Sequence, residues 1–519
     1  MRTGSVVRAA AGIAGVTVLA RVVGFGRVAV LTRTLGTGCV GDAYQSANQL
    51  PNVVFEVVAG GALASLVVPL LAGAVATGDR DSASRTTSAL LTWTVVVLTP
   101  VALLGVLLAP WLLRALAGAS PACGQPLLEV GGRLLRVFMP QVVLYGIAIV
   151  LTGVLQAHRR FLGPALAPLL SSLVVVTAYL LYAAQGAAEL ASLSSAQELT
   201  LSVGTTLGVA VLALPLLLPL RRCGLLLRPT LTFPPGVAGR ARGLAAAGVA
   251  GLVAQQVALL VALRLANGGE PGDVVVFFVA TALFLLPWAV LAVPLATSAF
   301  PVLSAHASAG EEAAFVAQAR TSLRGVLVVT VGSAALLAAV AAPTARVLVL
   351  GTRGLDRVDS LRDATLAFAP GLVGYGLLAL LARALYARHD GRTPALATVT
   401  GWVVVAVADL VLVRLDLPRV VALGLGNSVG MTVAGGLLLV GLRRATGPAL
   451  LTGVGRTAAV CGALAAGVVA VSRLLDITGG QSLAGSVFAG TAVAVVAAAA
   501  YLAGVRALDP AGLRALSRG

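Results

Sequence analysis

Arg21 and Arg27 stand in one apolar run with Gly24 and Gly26 between them, and Glu56 follows in the next apolar run. A guanidinium holds a pair of phosphate or carboxylate oxygens through two parallel N–H donors, so the chemistry these arginines offer is recognition of an anion. Their spacing turns an ideal helix by roughly 120° beyond whole turns, so both reach one cavity without sharing a narrow face. The competing reading is snorkelling of a long side chain to headgroups; both lie more than a turn from the expected helix ends, where a charge needs a protein or water partner. Gly24 and Gly26 are expected to weaken or bend that helix. Asn48 and Asn52 flank Pro51, which removes a backbone donor, kinks the helix and frees groups that either amide could satisfy. Asp42 precedes the second apolar run and reads as its N-terminal cap, with an Arg33 pair or a gating role as the alternative. Glu56 lies beyond the kink and either pairs with Arg21 or Arg27 or binds a coupling proton or cation. Asp409, in a later run, is the other acid for coupling, although its place near an outer end favours a solvated or Arg414-paired state. Arg159 and Arg160, and again Arg388 and Arg392 with His389, fall in short cytoplasmic turns. They fix topology and touch anionic lipid, or make the first capture of an anionic substrate.

The elements that position these residues are membrane helices. With 59% hydrophobic and 11% charged residues, the chain carries less than half the charge of a soluble domain. The formal charge of +17 comes entirely from arginine without lysine, a bias of GC-rich bacterial genomes. These arginines are scattered singly and in pairs, without the basic stripe and interleaved aromatics of a nucleic-acid surface. Cys39, Cys123, Cys223 and Cys461 lack metal-ligand spacing, and the histidines form no HExxH pattern, so neither a metal site nor any other cofactor is expected. No nucleotide-binding motif appears, and the chain reads as a transporter, not an enzyme. Arg2 and Arg8 ahead of an apolar run resemble a signal peptide, but the run is read as a retained first helix.

Breaking the chain at glycine, proline and charge clusters leaves about fourteen stretches long enough to span a bilayer: 6–34, 42–73, 86–113, 127–156, 161–184, 198–220, 243–263, 274–302, 315–341, 363–386, 394–414, 419–442, 454–474 and 483–506. With a cytoplasmic N-terminus the inner turns collect roughly twice the arginines of the outer ones, which satisfies the positive-inside bias and puts both termini in the cytoplasm. Cys39 and Cys123 then face outside, where a disulfide is permitted; unpaired small residues are the favoured reading. A repeat runs through the chain. Ala157, Arg159, Pro164, Ala165 and Leu166 match Ala387, His389, Pro394, Ala395 and Leu396 without a gap, and Gly204, Gly208 and Arg221-Arg222 match Gly426, Gly430 and Arg443-Arg444. Gly41-Asp42, Leu50-Pro51 and Val68-Pro69 echo Gly272-Asp273, Leu286-Pro287 and Phe300-Pro301 more loosely. The expected organisation is all-α: a six-helix lobe over 1–220, a cytoplasmic linker over 221–242 with room for an interfacial helix, a second six-helix lobe over 243–442, and two appended helices with a tail over 443–519. Parallel repeats of this kind place substrate between lobes.

GFGR (24–27), GDAY (41–44), NQLPN (48–52), GGALASLVVPLL (60–71), AHRRFLGPALAP (157–168) and LYARHDGRTP (385–394), in this order, resemble the MurJ/MviN family of the multidrug/oligosaccharidyl-lipid/polysaccharide exporter superfamily. The resemblance implies a fourteen-helix flippase of the plasma membrane that carries lipid II, the undecaprenyl diphosphate-linked peptidoglycan precursor, to the outer leaflet by alternating access. Membrane lipids and cell-wall synthesis proteins would be its partners, with no nucleic acid. A flippase for another undecaprenyl-linked glycan and a non-transporting envelope scaffold are the alternatives. Arg21, Arg27, Asn48, Asn52 and Glu56 become the substrate-binding set, Gly24, Gly26, Asp42 and Pro51 the gating or structural set, and Arg159, Arg160, Arg388 and Arg392 the capture set. Val28, Phe55 and Glu56 stand where the family carries an acid and paired arginines, and Ala280, Thr281 and Ala282 where an arginine is often found. The aromatic-Glu pair after LPN resembles the high-GC Gram-positive branch.

Overall fold

A computed structural model describes residues 3–57, 64–118, 122–186, 188–233, 237–349, 352, 357–474 and 482–518. Regular structure among them is helical, as a backbone immersed in lipid requires when it must satisfy its own polar groups. The chain opens with α1 (Thr3–Thr34), α2 (Cys39–Phe55), α3 (Ala64–Thr77), α4 (Arg80–Leu107), α5 (Ala109–Ala117), α6 (Gly124–Phe138), α7 (Gln141–Ala157), α8 (Leu162–Ala184), α9 (Ser195–Ala213) and α10 (Leu217–Arg221). It continues through α11 (Val237–Ala266), α12 (Asp273–Pro287), α13 (Val293–Ser308), α14 (Glu312–Ala339), α15 (Ala341–Val349) and α16 (Val358–Phe368). It closes with α17 (Gly371–Ala387), α18 (Arg392–Val413), α19 (Arg419–Thr446), α20 (Val454–Leu474), α21 (Leu483–Leu508) and α22 (Pro510–Arg518).

Among the described residues, ten helices or continuous helix runs are long and apolar enough to cross a membrane, and α16 with α17, bent by 42°, makes an eleventh. The expected stretches 6–34, 42–73 and 243–263 hold α1, α2 with α3, and α11; the second of them includes residues outside the described set, Gly60 and Gly61 among them. The full expected total of about fourteen spans is therefore not established on the described residues alone. Packing divides the chain into two units, one of Met1–Gln256 with Asn267–Val274 and Thr352–Leu355, the other of Val257–Ala266, Val275–Gly351 and Asp356–Gly519.

Within each unit the same local devices recur. Arg159 (φ 57°) and His389 (φ 62°) both adopt the left-handed conformation. Each closes a helix in the same way: Arg160 N donates to Leu155 O (2.8 Å) and Asp390 N to Leu385 O (3.0 Å), the six-to-one bond of a Schellman cap. Prolines 140 and 370 stand at the breaks between α6 and α7 and between α16 and α17. Phe138, Tyr145 and Gly146 share the register of Phe368, Tyr375 and Gly376 around them. Pro51 in α2 is followed by a π turn at Glu56–Val57, and Pro287 in α12 by a π turn over Trp288–Ala292; a proline that removes an i→i−4 bond is accommodated by such a widened turn. Gly208 lets α9 approach Val175 and the Ser171 carbonyl of α8, and Gly430 lets α19 approach Val405 and the Gly401 carbonyl of α18.

Two expectations are corrected. Cys39 and Cys123 are bonded, with Cα atoms 5.5 Å apart, against the favoured unpaired reading: α2 packs on α6, and this brings their starts together, a proximity that sequence does not encode. The linker forms no interfacial helix over 225–230. It lies extended along α4 instead, where Leu226 N donates to Ser84 Oγ (3.2 Å), Arg228 N to Ser88 Oγ (3.0 Å) and Thr230 N to Thr92 Oγ1 (3.1 Å). Four residues of helix rise about 6 Å and two extended residues about 6.6 Å, so hydroxyls at every fourth position meet every second amide. Pro234 and Pro235 lie outside the described residues.

Candidate functional site

Arg21 and Arg27 sit on α1, Arg21 exposed and Arg27 half-buried. α1 runs uninterrupted through Gly24 and Gly26. Among the described residues a β-carbon at either glycine would meet nothing within 4 Å, so the glycines border open space there beside the arginines. Among the described residues neither arginine makes an ion pair or side-chain hydrogen bond.

Arg27 lies within electrostatic reach of three phenol groups, Tyr44, Tyr145 and Tyr179. The Tyr44 hydroxyl is 2.9 Å from that of Tyr179 and 2.8 Å from Thr205 Oγ1. Thr205 donates to Leu201 O (2.7 Å) and so accepts from Tyr44, which leaves Tyr44 to accept from Tyr179. This ordered chain of hydroxyls is buried and holds α2, α8 and α9 in one arrangement. No local pattern marks these tyrosines as a set, although Tyr44 lies in the GDAY motif and Tyr145 shares its register with Tyr375.

The π turn at Glu56 follows Phe55, whose ring packs on Tyr145 at 4.5 Å between centroids. Glu56 is exposed and acts electrostatically on Tyr145, so Arg27 and Glu56 share a neighbour without forming the expected ion pair among the described residues. Asn52 Nδ2 donates to Asn48 O (3.0 Å), as the freed backbone near Pro51 invites, while the buried Asn48 Oδ1 has no partner among the described residues. Arg27, Tyr145 and Glu56 thus form one neighbourhood; Arg21 lies further down α1 and makes no ion pair or side-chain hydrogen bond with it among the described residues.

Asp42 is not a cap. Gly38 holds the cap position without a side-chain bond, and Asp42 lies in the first turn, buried. It accepts a 2.6 Å hydrogen bond from Gly272 N, while Ser46 pairs with Asn267 (3.0 Å) one turn on. Gly272 has φ 92°, and any β-carbon there would collide with the Thr37 carbonyl, so the acid and the glycine form one structural clasp. Asp409 is also corrected: it is 1% exposed, its Oδ1 has no partner among the described residues, and it abuts Gly426 of α19. It is neither solvated nor paired with Arg414, because a glycine on the neighbouring helix leaves a recess for the carboxyl.

The capture arginines separate into two kinds. Arg160 donates to Arg222 O (3.1 Å); Arg388 binds Glu312 (2.7 Å), donates to Ala445 O (3.3 Å) and lies over the Phe315 ring. These two are tied to neighbouring groups of the protein. Arg159 and Arg392 are exposed and free of ion pairs among the described residues. Asp390 Oδ1 accepts from the Arg392 and Thr393 amides (3.0 Å each), and hydrogen bonds from Thr393 hold its carboxyl below the usual aspartate value.

A family model described as lipid II flippase MurJ matches residues 31–490. The chain is 28% identical over 444 residues to the lipid II flippase MurJ of Burkholderia cenocepacia, covering 84% of each chain. It is 27% identical over 400 residues to the probable lipid II flippase MurJ of Vibrio cholerae, covering 74% of this chain and 73% of the relative. Among solved structures it resembles an inward closed lipid II flippase MurJ, with a TM-score of 0.74 at 17% identity over 94% of this chain and 98% of the other. An inward-facing multidrug resistance MATE transporter of the MOP superfamily follows, with a TM-score of 0.68 at 13% identity over 82% and 94%. Both likenesses concern the fold.

Proposed function

The chain belongs to the lipid II flippase MurJ family, and we propose that the neighbourhood of Arg27 on α1 holds the substrate's diphosphate. The protein is a multi-pass membrane protein and a lipid II flippase, so the group it must desolvate is a diphosphate joined to a sugar and a polyprenyl chain. Arg27 supports this role because it is a half-buried cation without an ion pair among the described residues, beside the open space at Gly24 and Gly26. That single combination carries the reading: an unpaired guanidinium in a membrane helix with room for a ligand is expensive unless an anion visits it. Arg21 would meet the diphosphate at another stage of its passage, Asn48 Oδ1 offers an acceptor to a sugar hydroxyl, and Glu56 beside Tyr145 repels the anion once it has moved on.

No bond is made or broken in this cycle, so the protein acts as a transporter that exposes one site alternately to each leaflet. Membrane potential or an ion gradient would drive it, since one charge crossing the field is worth about 2.3 kcal/mol per 100 mV. The polyprenyl tail remains in apolar surroundings throughout. In this reading both termini are cytoplasmic in the plasma membrane. The Cys39–Cys123 bond supports that orientation, because such bonds persist on the oxidising outer side, and the start of α1 would then be inside. Arg159 and Arg392 are then the capture residues, and cell-wall synthesis enzymes the consumers of the product.

The test is complementation of a bacterium depleted of its own lipid II flippase, with outer-leaflet lipid II measured directly. The unmutated chain sustains growth; Arg27→Ala lowers outer-leaflet lipid II per copy by roughly 100-fold, the worth of a lost charged hydrogen-bond pair. Full activity of Arg27→Ala at equal membrane abundance overturns the assignment.

A further inference from the structure

Of the three phenols near Arg27, two are already engaged. Tyr44 and Tyr179 hold one another and Thr205 through their hydroxyls. Tyr145 of α7 makes no hydrogen bond among the described residues, and its oxygen is not sealed in without a partner as Asn48 Oδ1 and Gln141 Oε1 are. We propose, granted a diphosphate on Arg27, that the Tyr145 hydroxyl is its second contact: Arg27 takes one phosphate and the phenol donates to the other, so that the pair separates a diphosphate lipid from a monophosphate one.

Packing on two sides fixes this side chain. Gly146 presses α7 against α4, where a β-carbon would collide with Leu98 and Thr94. Successive helix residues point about 100° apart, so Tyr145 turns away from α4. Its ring lies instead on Phe55 at the end of α2, 4.5 Å between centroids. The ring therefore has a fixed seat while the side chain remains partly exposed. Arg27 and Glu56 both lie within electrostatic reach of the phenol, and neither is hydrogen-bonded to it among the described residues.

The chemistry suits the second phosphate. A hydroxyl donates to an ionised oxygen through a short, directed bond and adds no charge of its own. Cargo must leave a transport site as readily as it enters, and a neutral donor gives direction without the hold of a further cation. A monophosphate satisfies the guanidinium fork by itself and leaves the phenol idle. Packing alone does not call for the hydroxyl, because Phe55 offers it no acceptor and a phenylalanine would fill the same seat. The oxygen is the part of Tyr145 that the fold does not use.

The experiment uses the full chain in detergent, titrated with undecaprenyl diphosphate or undecaprenyl phosphate and read by native mass spectrometry, with thermal melting as the check on folding. Tyr145→Phe is compared with Arg27→Ala and with Tyr386→Phe, which removes an exposed phenol at the end of α17. The native chain and Tyr386→Phe should prefer the diphosphate. Tyr145→Phe should lose roughly tenfold in affinity for the diphosphate, as one hydrogen bond to a charged group allows, and bind the monophosphate as the native chain does. Arg27→Ala should weaken both lipids. Native preference in Tyr145→Phe, beside an Arg27→Ala variant that loses both lipids, overturns the role of Tyr145 and leaves Arg27 in place. Native affinity of Arg27→Ala for both lipids overturns the Arg27 reading and the pairing with it. Equal loss of both lipids by Tyr145→Phe makes the tyrosine part of the scaffold and also overturns the proposal. Should Tyr145→Phe fail to fold, 3-fluorotyrosine in place of Tyr145 decides: a fluorine resonance that shifts with the diphosphate and not with the monophosphate supports the contact, and one that shifts with neither, or equally with both, overturns it.

Discussion

Asp409 shows most sharply what a single side chain can ask of its surroundings. A carboxyl 1% exposed, with one oxygen unpartnered among the described residues, contributes little to packing, and burying such a group without full compensation costs on the order of a few kcal/mol. Gly426 provides the space it occupies, so the recess is built into α19 and is not a defect of α18. Ionisable residues placed this way in a span mark ion or proton pathways by default, which returns Asp409 to the coupling role that its apparent nearness to a helix end had argued against. Asp409→Asn keeps the shape and removes the charge. We expect the variant to melt within a few degrees of the native chain while outer-leaflet lipid II falls by roughly tenfold or more. A variant that transports normally would leave the carboxyl as a tolerated oddity, and one that fails to fold would make it structural.

Single elements explain how much was legible beforehand. Helices were readable because about 20 apolar residues between glycine, proline and charge clusters have few other fates in a bilayer, and the turn repeat was readable because Pro164 and Pro394 punctuate it identically. What escaped was contact across sequence distance. The Asp42 clasp on Gly272, the Tyr44–Tyr179 bond and the linker on α4 each join residues whose separation no local pattern records. The linker offers a direct check. Ser88→Ala removes the acceptor of the Arg228 amide, a loss of about 1 kcal/mol, and should speed proteolysis within 225–230 several-fold; an unchanged cleavage rate would mean that the strap is held elsewhere. α22 offers another. Burial raises the Asp509 carboxyl, but hydrogen bonds from Thr457, Arg324 and Gly512 outweigh it and leave the group below its ordinary value of 3.8. A carboxyl depressed in the folded state contributes stability that is complete above the unfolded value and is lost as pH falls through the folded one. A spin label at Ala511 should therefore stay immobile at pH 5 and gain mobility below 3.8, whereas Asp509→Asn should be mobile at both. Immobility of the variant at pH 5 would count against the clasp.

Across the whole molecule, one plan is used twice with different chemistry. In the first unit the π turn after Pro51 brings Phe55 onto Tyr145, among the hydroxyls of Tyr44 and Tyr179 and within reach of Arg27. In the second unit the π turn after Pro287 places Trp288 on Tyr375 at 4.6 Å, and the surroundings are Phe284, Phe368 and Trp402. Ala280, Thr281 and Ala282 on α12 supply no cation. The same turn thus lies beside a cation and buried hydroxyls in one unit and among aromatic rings in the other, and recognition of a diphosphate should fall on the first. An aromatic wall works through shape and apolar area, where a volume-tolerant substitution costs under about 1.5 kcal/mol; a guanidinium works through directed charged bonds that no neighbour replaces. Phe284→Leu should accordingly hold outer-leaflet lipid II within about tenfold of the native level, while Arg27→Lys, which retains the charge but loses the planar fork, should fall between the native chain and Arg27→Ala. If Phe284→Leu is as damaging as Arg27→Ala at matched membrane abundance, the division of labour between units is wrong, and the second unit must meet the substrate's polar head as directly as the first.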